Sequence, residues 1–174
     1  MNKLKTYLNL QQLPNILTIF RLSIAIPIII CFEIYKLSPI FYLLIVGILT
    51  DYFDGFFAKK LKAKSKFGAI IDPLADKVLT LIPLVWLSNN KVIPYWAISI
   101  IILRELIVSS FRTTQKDGLP ATLQAKFKTV FIFGSLILFF FPYQNELVSN
   151  LGLVSFWIGF ILTLSTSINY LSVK

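Results

Sequence analysis

Apolar runs close to twenty residues long, separated by short polar breaks, recur from one end of this chain to the other. Each is about the length a helix needs to cross the ~30 Å hydrocarbon core of a bilayer. In that solvent every backbone N–H and C=O must be satisfied within the segment, so the runs can only be helices. Six spans are predicted, at residues 16–35, 39–57, 72–87, 93–111, 121–141 and 151–171. The breaks at 36–39, 88–91, 116–120 and 142–146 are clusters of turn-forming residues, and Pro120 suits the first turn of the fifth helix. The expected fold is all-α: one integral membrane bundle of six transmembrane helices, a single domain over residues 1–174.

Composition supports that class. Of the 174 residues, 56% are hydrophobic and only 14% charged, where a soluble domain carries about 25% charged residues. The first apolar run is interrupted by Arg21 and is not followed by a small-x-small cleavage pattern, so it is expected to be retained. There is no histidine, which excludes Ser-His-Asp triads and imidazole-ligated zinc. The one cysteine, Cys31, permits no disulfide within the chain and reads as a packing or lipid-facing residue. A net charge of +9 points to anionic partners. In so apolar a chain these are lipid headgroups and phosphates rather than nucleic acid.

The basic residues set an orientation. If both termini lie in the cytoplasm, Lys3, Lys5, the lysines between 59 and 66, Arg112, Lys116, Lys126, Lys128 and Lys174 lie there too. Only Lys36 and Lys91 fall on the other side, as the positive-inside rule requires. Tyr35, Tyr42, Tyr95 and Trp96 then read as interfacial belt residues. Arg21, Lys77 and Arg104 fall inside spans, on the cytoplasmic half. Either their stems snorkel to the headgroups, or they converge on the acidic side chains that share that half.

Four of the eight acidic residues, Asp51, Asp54, Asp72 and Asp76, lie within twenty-six residues at the junction of the second and third spans. A carboxylate next to hydrocarbon costs several kcal/mol unless a cation, a metal or water compensates it. Asp51 and Asp54 are three apart and Asp72 and Asp76 four apart, so each pair shares a face of its helix. Antiparallel helices would bring the pairs together, with Gly68 allowing a close turn and Pro73 placing the start of regular helix near Asp72. Converging carboxylates without imidazole or thiolate favour Mg²⁺ or Mn²⁺, and two such ions suit a diphosphate. Pairing with the nearby lysines is the competing account, but it does not require these intervals. A cation transporter is another, but such proteins place their sites near the midplane between repeated halves, and no repeat is visible here.

The stretch resembles the signature of the CDP-alcohol phosphotransferases, D-x2-D-G-x2-A-R-x8-G-x3-D-x3-D. Asp51, Asp54, Gly55, Ala58, Gly68, Asp72 and Asp76 stand at every required interval, and Lys59 replaces the usual arginine. Lysine keeps the charge and loses the planar two-pronged grip on phosphate. The segment 13–21, LPNILTIFR, is similar to the family's P-N-x-x-T-x-x-R opening. The segments 102–112, ILRELIVSSFR, and 125–129, AKFKT, resemble the bacterial branch that makes phosphatidylglycerol phosphate.

The resemblance implies transfer of a phosphatidyl group from CDP-diacylglycerol to sn-glycerol 3-phosphate in a bacterial cytoplasmic membrane. Phosphatidylglycerol, serine or inositol phosphate are the alternative acceptors. It implies Asp51, Asp54, Asp72 and Asp76 as metal ligands, with Asp76 as the catalytic base. Asn15, Thr18, Arg21, Asp51, Gly55, Ala58, Lys59 and Gly68 are implied on the CDP-diacylglycerol, and Arg104, Arg112, Lys126 and Lys128 on the glycerol phosphate. A homodimer is implied by the resemblance alone. Glu105 reads as a partner of Arg104 or Arg112, and the last helix as apolar packing.

Overall fold

The computed structural model describes the backbone of residues 2–61, 66–114 and 123–172, and the side chains of 16–53, 71, 73–108 and 126–166. Six helices occupy the described residues: α1 (Asn2–Glu33), α2 (Ser38–Leu61), α3 (Lys66–Asn89), α4 (Tyr95–Thr114), α5 (Leu123–Phe139) and α6 (Glu146–Ser172). No strand is present among the described residues. Each helix overlaps one expected span, and most run beyond it.

Two of these extensions correct the sequence reading. Regular helix begins at Lys66, so Pro73 lies in the interior of α3 rather than in its first turn. A proline inside a helix removes one backbone hydrogen bond; in membrane helices neighbouring groups compensate, and the helix continues. Gly68 accordingly lies within α3 and makes no turn. The stretch from Asn2 also belongs to α1, which is 32 residues long. Hydropathy sees only the apolar part of a helix, which is why the expected span began at residue 16. Pro120 lies outside the described residues.

The chain divides into two compact units, Met1–Ile82 and Pro83–Lys174. In the first, α1 packs along α2. The packed face of α1 carries Thr18, Arg21, Ile24, Ala25, Ile28 and Phe32. Its exposed face carries Ile16, Ile19, Phe20, Ile26, Ile29 and Ile30. A soluble helix would put the isoleucines inward and the arginine outward. This inversion is what an apolar solvent favours. On α2 the buried positions are Ile40, Leu44, Gly47 and Thr50, spaced along one stripe. A Cβ at Gly47 would lie 2.7 Å from Cδ1 of Leu79, so the missing side chain is what admits that leucine of α3.

In the second unit α6 packs against both α5 and α4. Gly159 lies so near α5 that a Cβ there would come within 3.2 Å of the backbone nitrogen of Ile132. Small residues at membrane helix crossings allow this approach and the van der Waals contact it brings. Ser155 Oγ donates to the Phe131 carbonyl at 2.8 Å across the same interface. The outer face of α6 exposes Leu147, Leu151, Val154, Ile158, Ile161 and Leu164, while Thr163 and Thr166 are buried. The inversion seen in α1 is repeated.

The helix ends are closed locally. Tyr35 and Lys91 have positive φ, 51° and 60°. At each, the next two amide bonds reach back over the last turn: Tyr35 to Phe32 and Lys36 to Cys31, then Lys91 to Ser88 and Val92 to Leu87. These are Schellman caps, here formed with residues other than glycine. Gln144 Nε2 donates to the Leu138 and Phe139 carbonyls at the end of α5. Asn145 Oδ1 accepts from the Val148 amide and so starts α6.

Two segments are long and apolar enough to cross a membrane among the described residues, Ile16–Glu33 and Glu146–Thr166; Ser38–Phe53 is a shorter apolar helix. The helices between carry charges within their length: Asp72, Asp76 and Lys77 in α3, Arg104, Glu105 and Arg112 in α4, Lys126 and Lys128 in α5. Tyr35, Tyr42, Tyr95 and Trp96 are all exposed, each near an end of its helix or just beyond it.

Candidate functional site

Arg21 is the largest fully buried side chain of the molecule's described residues, only 1% exposed. A guanidinium cannot be neutralised by deprotonation, so its burial has to be matched by acceptors. Its Nη1 donates to Oδ1 of Asp76 at 2.8 Å and lies 3.1 Å from Oδ1 of Asp51. The three side chains come from α1, α2 and α3. One turn before Arg21, Thr18 is also buried. Thr80, one turn after Asp76, donates its hydroxyl to the Asp76 backbone carbonyl at 2.9 Å.

Two aspartates from different helices are therefore gathered on a single nitrogen. Their carboxylates are not sealed in: Asp51 is 61% exposed and Asp76 48%. Among the described side chains this is one cation against two anions, with hard oxygen donors that remain accessible. Such a donor set fits a divalent ion of the magnesium or manganese type and offers nothing to a thiophilic metal. Asp54 follows Asp51 by one turn on α2, and Asp72 precedes Asp76 by one turn on α3. The side chains of these two lie outside the described residues, as do those of Asn15, Gly55, Ala58, Lys59, Gly68 and Arg112.

The second unit holds a cluster of opposite balance. Arg104 on α4, 8% exposed, donates from Nη1 to Oε1 of Glu105 at 2.9 Å. Its Nη2 donates to Oγ1 of Thr166 on α6 at 2.9 Å. Lys128 on α5 donates from Nζ to the same Oε1 of Glu105. Two cations thus share one carboxylate oxygen, and three helices meet at the cluster. Lys126, two residues from Lys128, is exposed.

Glu105 pairs with Arg104, one of the two partners expected for it; its bridge to Lys128 and the contact of Thr166 with Arg104 were not foreseen. Glu105 bridges Arg104 to Lys128, a residue on another helix, and sequence separation gives no clue to that partner. Thr166 sits in a helix that reads as apolar packing, and that reading is corrected: its hydroxyl is a buried acceptor for an arginine and itself donates to the Leu162 carbonyl. The available signal was the hydroxyl-rich stretch 163–167, Thr-Leu-Ser-Thr-Ser, which follows a long apolar run.

Known proteins resemble this chain over most of its length. The family model described as CDP-alcohol phosphatidyltransferase matches residues 11–165. A protein of Rickettsia bellii named CDP-diacylglycerol–glycerol-3-phosphate 3-phosphatidyltransferase is 32% identical over 171 residues, covering 92% of this chain and 93% of its own. A protein of the same name from Wigglesworthia glossinidia brevipalpis is 31% identical over 170 residues, covering 91% and 92%. Another from Cereibacter sphaeroides is 36% identical over 129 residues, covering 68% and 58%. Members of the family are membrane-bound and generally metal-dependent. The chain belongs to the CDP-alcohol phosphatidyltransferase family and is a phosphatidyltransferase of phospholipid biosynthesis.

Proposed function

We propose that this enzyme transfers the phosphatidyl group of CDP-diacylglycerol to sn-glycerol 3-phosphate, giving phosphatidylglycerol phosphate and CMP. The observation that carries the reading is the meeting of Asp51 and Asp76 at Arg21. The choice of acceptor rests on the buried pair of cations, Arg104 and Lys128, which suits a dianionic acceptor better than a neutral one. The names of the relatives point the same way.

In the reaction a glycerol 3-phosphate hydroxyl oxygen attacks the phosphorus that carries diacylglycerol. The bond from that phosphorus to the bridging oxygen breaks, and CMP leaves with the bond's electrons. Asp76 takes the hydroxyl proton as general base. Mg²⁺ or Mn²⁺, as two ions on Asp51, Asp54, Asp72 and Asp76, would supply neutralisation of the diphosphate and of the charge developing on CMP. Arg21 holds the Asp76 carboxylate in place. Asn15, Thr18, Gly55, Ala58, Lys59 and Gly68 are read as contacts of the cytidine nucleotide. Arg104, Arg112 and Lys128 are read as holding the acceptor phosphate, and Lys126, exposed on the same helix as Lys128, as acting on it at longer range. The chain is taken as one membrane domain over residues 1–174, its six helices crossing the bilayer with the chemistry at the cytoplasmic face.

The test is an acceptor panel with purified protein and CDP-diacylglycerol in mixed micelles, reading CMP release. Glycerol 3-phosphate should support turnover, EDTA should abolish it, and added Mg²⁺ or Mn²⁺ should restore it. Release with serine, inositol phosphate or phosphatidylglycerol, and none with glycerol 3-phosphate, would place the enzyme in another branch.

A further inference from the structure

Glu105 presents a single oxygen, Oε1, to two cations that arrive from different helices. Arg104 Nη1 is 2.9 Å away and Lys128 Nζ donates to the same atom. All three side chains are largely buried, at 8%, 19% and 15% exposure. The guanidinium is fixed a second time by Thr166, whose hydroxyl is itself tied to the Leu162 carbonyl. The arrangement fixes side chains that would otherwise be among the most mobile of any residue type.

Arginine and lysine side chains have many rotamers, and a binding partner must offset the entropy of ordering them if they are loose beforehand. Two cations meeting at one point also repel each other, and in a poorly solvated setting that repulsion is strong. A carboxylate between them removes both difficulties before any substrate arrives. Glu105 is itself anionic, so it cannot serve as a ligand for a phosphate. Its effect on an anion has to pass through Arg104 and Lys128.

We propose that Glu105 is a positioning residue for the acceptor: its carboxylate locks Arg104 of α4 and Lys128 of α5 into one preset cationic pair for the phosphate of glycerol 3-phosphate. This rests on the acceptor reading given above. Thr166 is the second anchor of the same pair, acting on Arg104 alone. The preset pair lowers the cost of ordering long side chains when the anion binds.

Steady-state kinetics on the full chain in mixed micelles test this, with glycerol 3-phosphate and CDP-diacylglycerol varied separately. Glu105→Gln keeps the shape and removes the charge. It should raise KM for glycerol 3-phosphate about tenfold, leaving kcat and the KM for CDP-diacylglycerol within about twofold. Glu105→Asp keeps the charge and should recover much of that loss. Thr166→Val should raise the same KM by about threefold, since Glu105 still holds the guanidinium.

An unchanged or lowered KM for glycerol 3-phosphate in Glu105→Gln overturns the proposal, because the carboxylate would then be irrelevant to the acceptor or in competition with it. Equal loss on both substrates, with a lower melting temperature, also overturns it by showing a purely structural role. If Glu105→Gln does not fold, Glu105→Asp decides: a small rise confined to the KM for glycerol 3-phosphate supports the role, and no change or equal loss on both substrates overturns it. Wild-type enzyme runs in parallel: no CMP release with glycerol 3-phosphate there sinks the acceptor reading, whereas normal wild-type turnover with an unaffected variant sinks the role of Glu105 alone.

Discussion

The two charged clusters of this protein are opposites. In the first unit one buried arginine, Arg21, is shared by two accessible aspartates, Asp51 and Asp76. In the second, one largely buried glutamate, Glu105, is shared by two cations, Arg104 and Lys128. The first leaves carboxylate oxygens exposed around a buried positive centre, which invites cations. The second gathers two cations on one carboxylate oxygen, an excess of positive charge that invites anions. Both share one central charge between two counter-charges: Asp51 of α2 and Asp76 of α3 in the first, Lys128 of α5 and Arg104 of Glu105's own helix in the second. Under the proposed function the first would neutralise the diphosphate and the second hold the phosphate of the acceptor.

The hardest break in that comparison comes from the first cluster. Asp76→Asn should lower turnover by about a thousandfold, the usual scale for removing a general base. Folding and nucleotide binding should survive, since asparagine can still accept from Arg21. Single-turnover CMP release, set against nucleotide binding and thermal unfolding, checks this. Turnover like that of the wild type would remove Asp76 as the base and leave its contact with Arg21 as a structural one.

The second cluster should respond differently. Arg104→Ala removes two directed hydrogen bonds, one to Glu105 and one to Thr166. It should raise KM for glycerol 3-phosphate by about thirtyfold, with much less effect on CDP-diacylglycerol. A selective loss on the lipid nucleotide instead would dissolve the contrast between the clusters.

Arg21→Met separates the clusters by stability rather than rate. It leaves Asp51 and Asp76 facing each other without a cation, which should cost about 1–3 kcal/mol, less than for a sealed pair because both carboxylates reach solvent. A divalent ion should then raise the melting temperature of the variant more than that of the wild type, because it replaces the missing charge. Equal shifts in both proteins would mean that ion and guanidinium do not act on the same oxygens.

Much of this was legible in the sequence, for reasons that can be named. The helices were, because in hydrocarbon a twenty-residue apolar run has no other way to satisfy its backbone. The aspartate intervals were, because spacings of three and four fix faces on a helix whatever its surroundings. The lengths of α1 and α3 were not: their first turns are polar or charged, and Pro73 misplaced the start of α3 because a membrane helix can carry an interior proline. Thr166 was not, because one hydroxyl among several near the end of α6 signals its role only once Arg104 is seen to reach it.

Residues 126 and 128 show the same limit at its smallest scale. Both are lysines in one short basic stretch of α5, and by sequence either could hold an acceptor phosphate. Two residues along a helix turn a side chain through about 200°, so they cannot serve the same cluster in the same way. The structure puts Lys128 on Glu105 and leaves Lys126 exposed. An exposed lysine acts on a phosphate only through a screened field, whereas one held against a carboxylate among buried groups acts at contact range. Lys128→Ala should therefore raise KM for glycerol 3-phosphate by about tenfold, and Lys126→Ala by no more than about twofold. Side-by-side titrations at low and moderate salt measure both, and the small Lys126 effect should fade as salt rises while the Lys128 effect persists. Reversal of that order would show that the acceptor binds on the outer side of α5, away from the cluster that Glu105 organises.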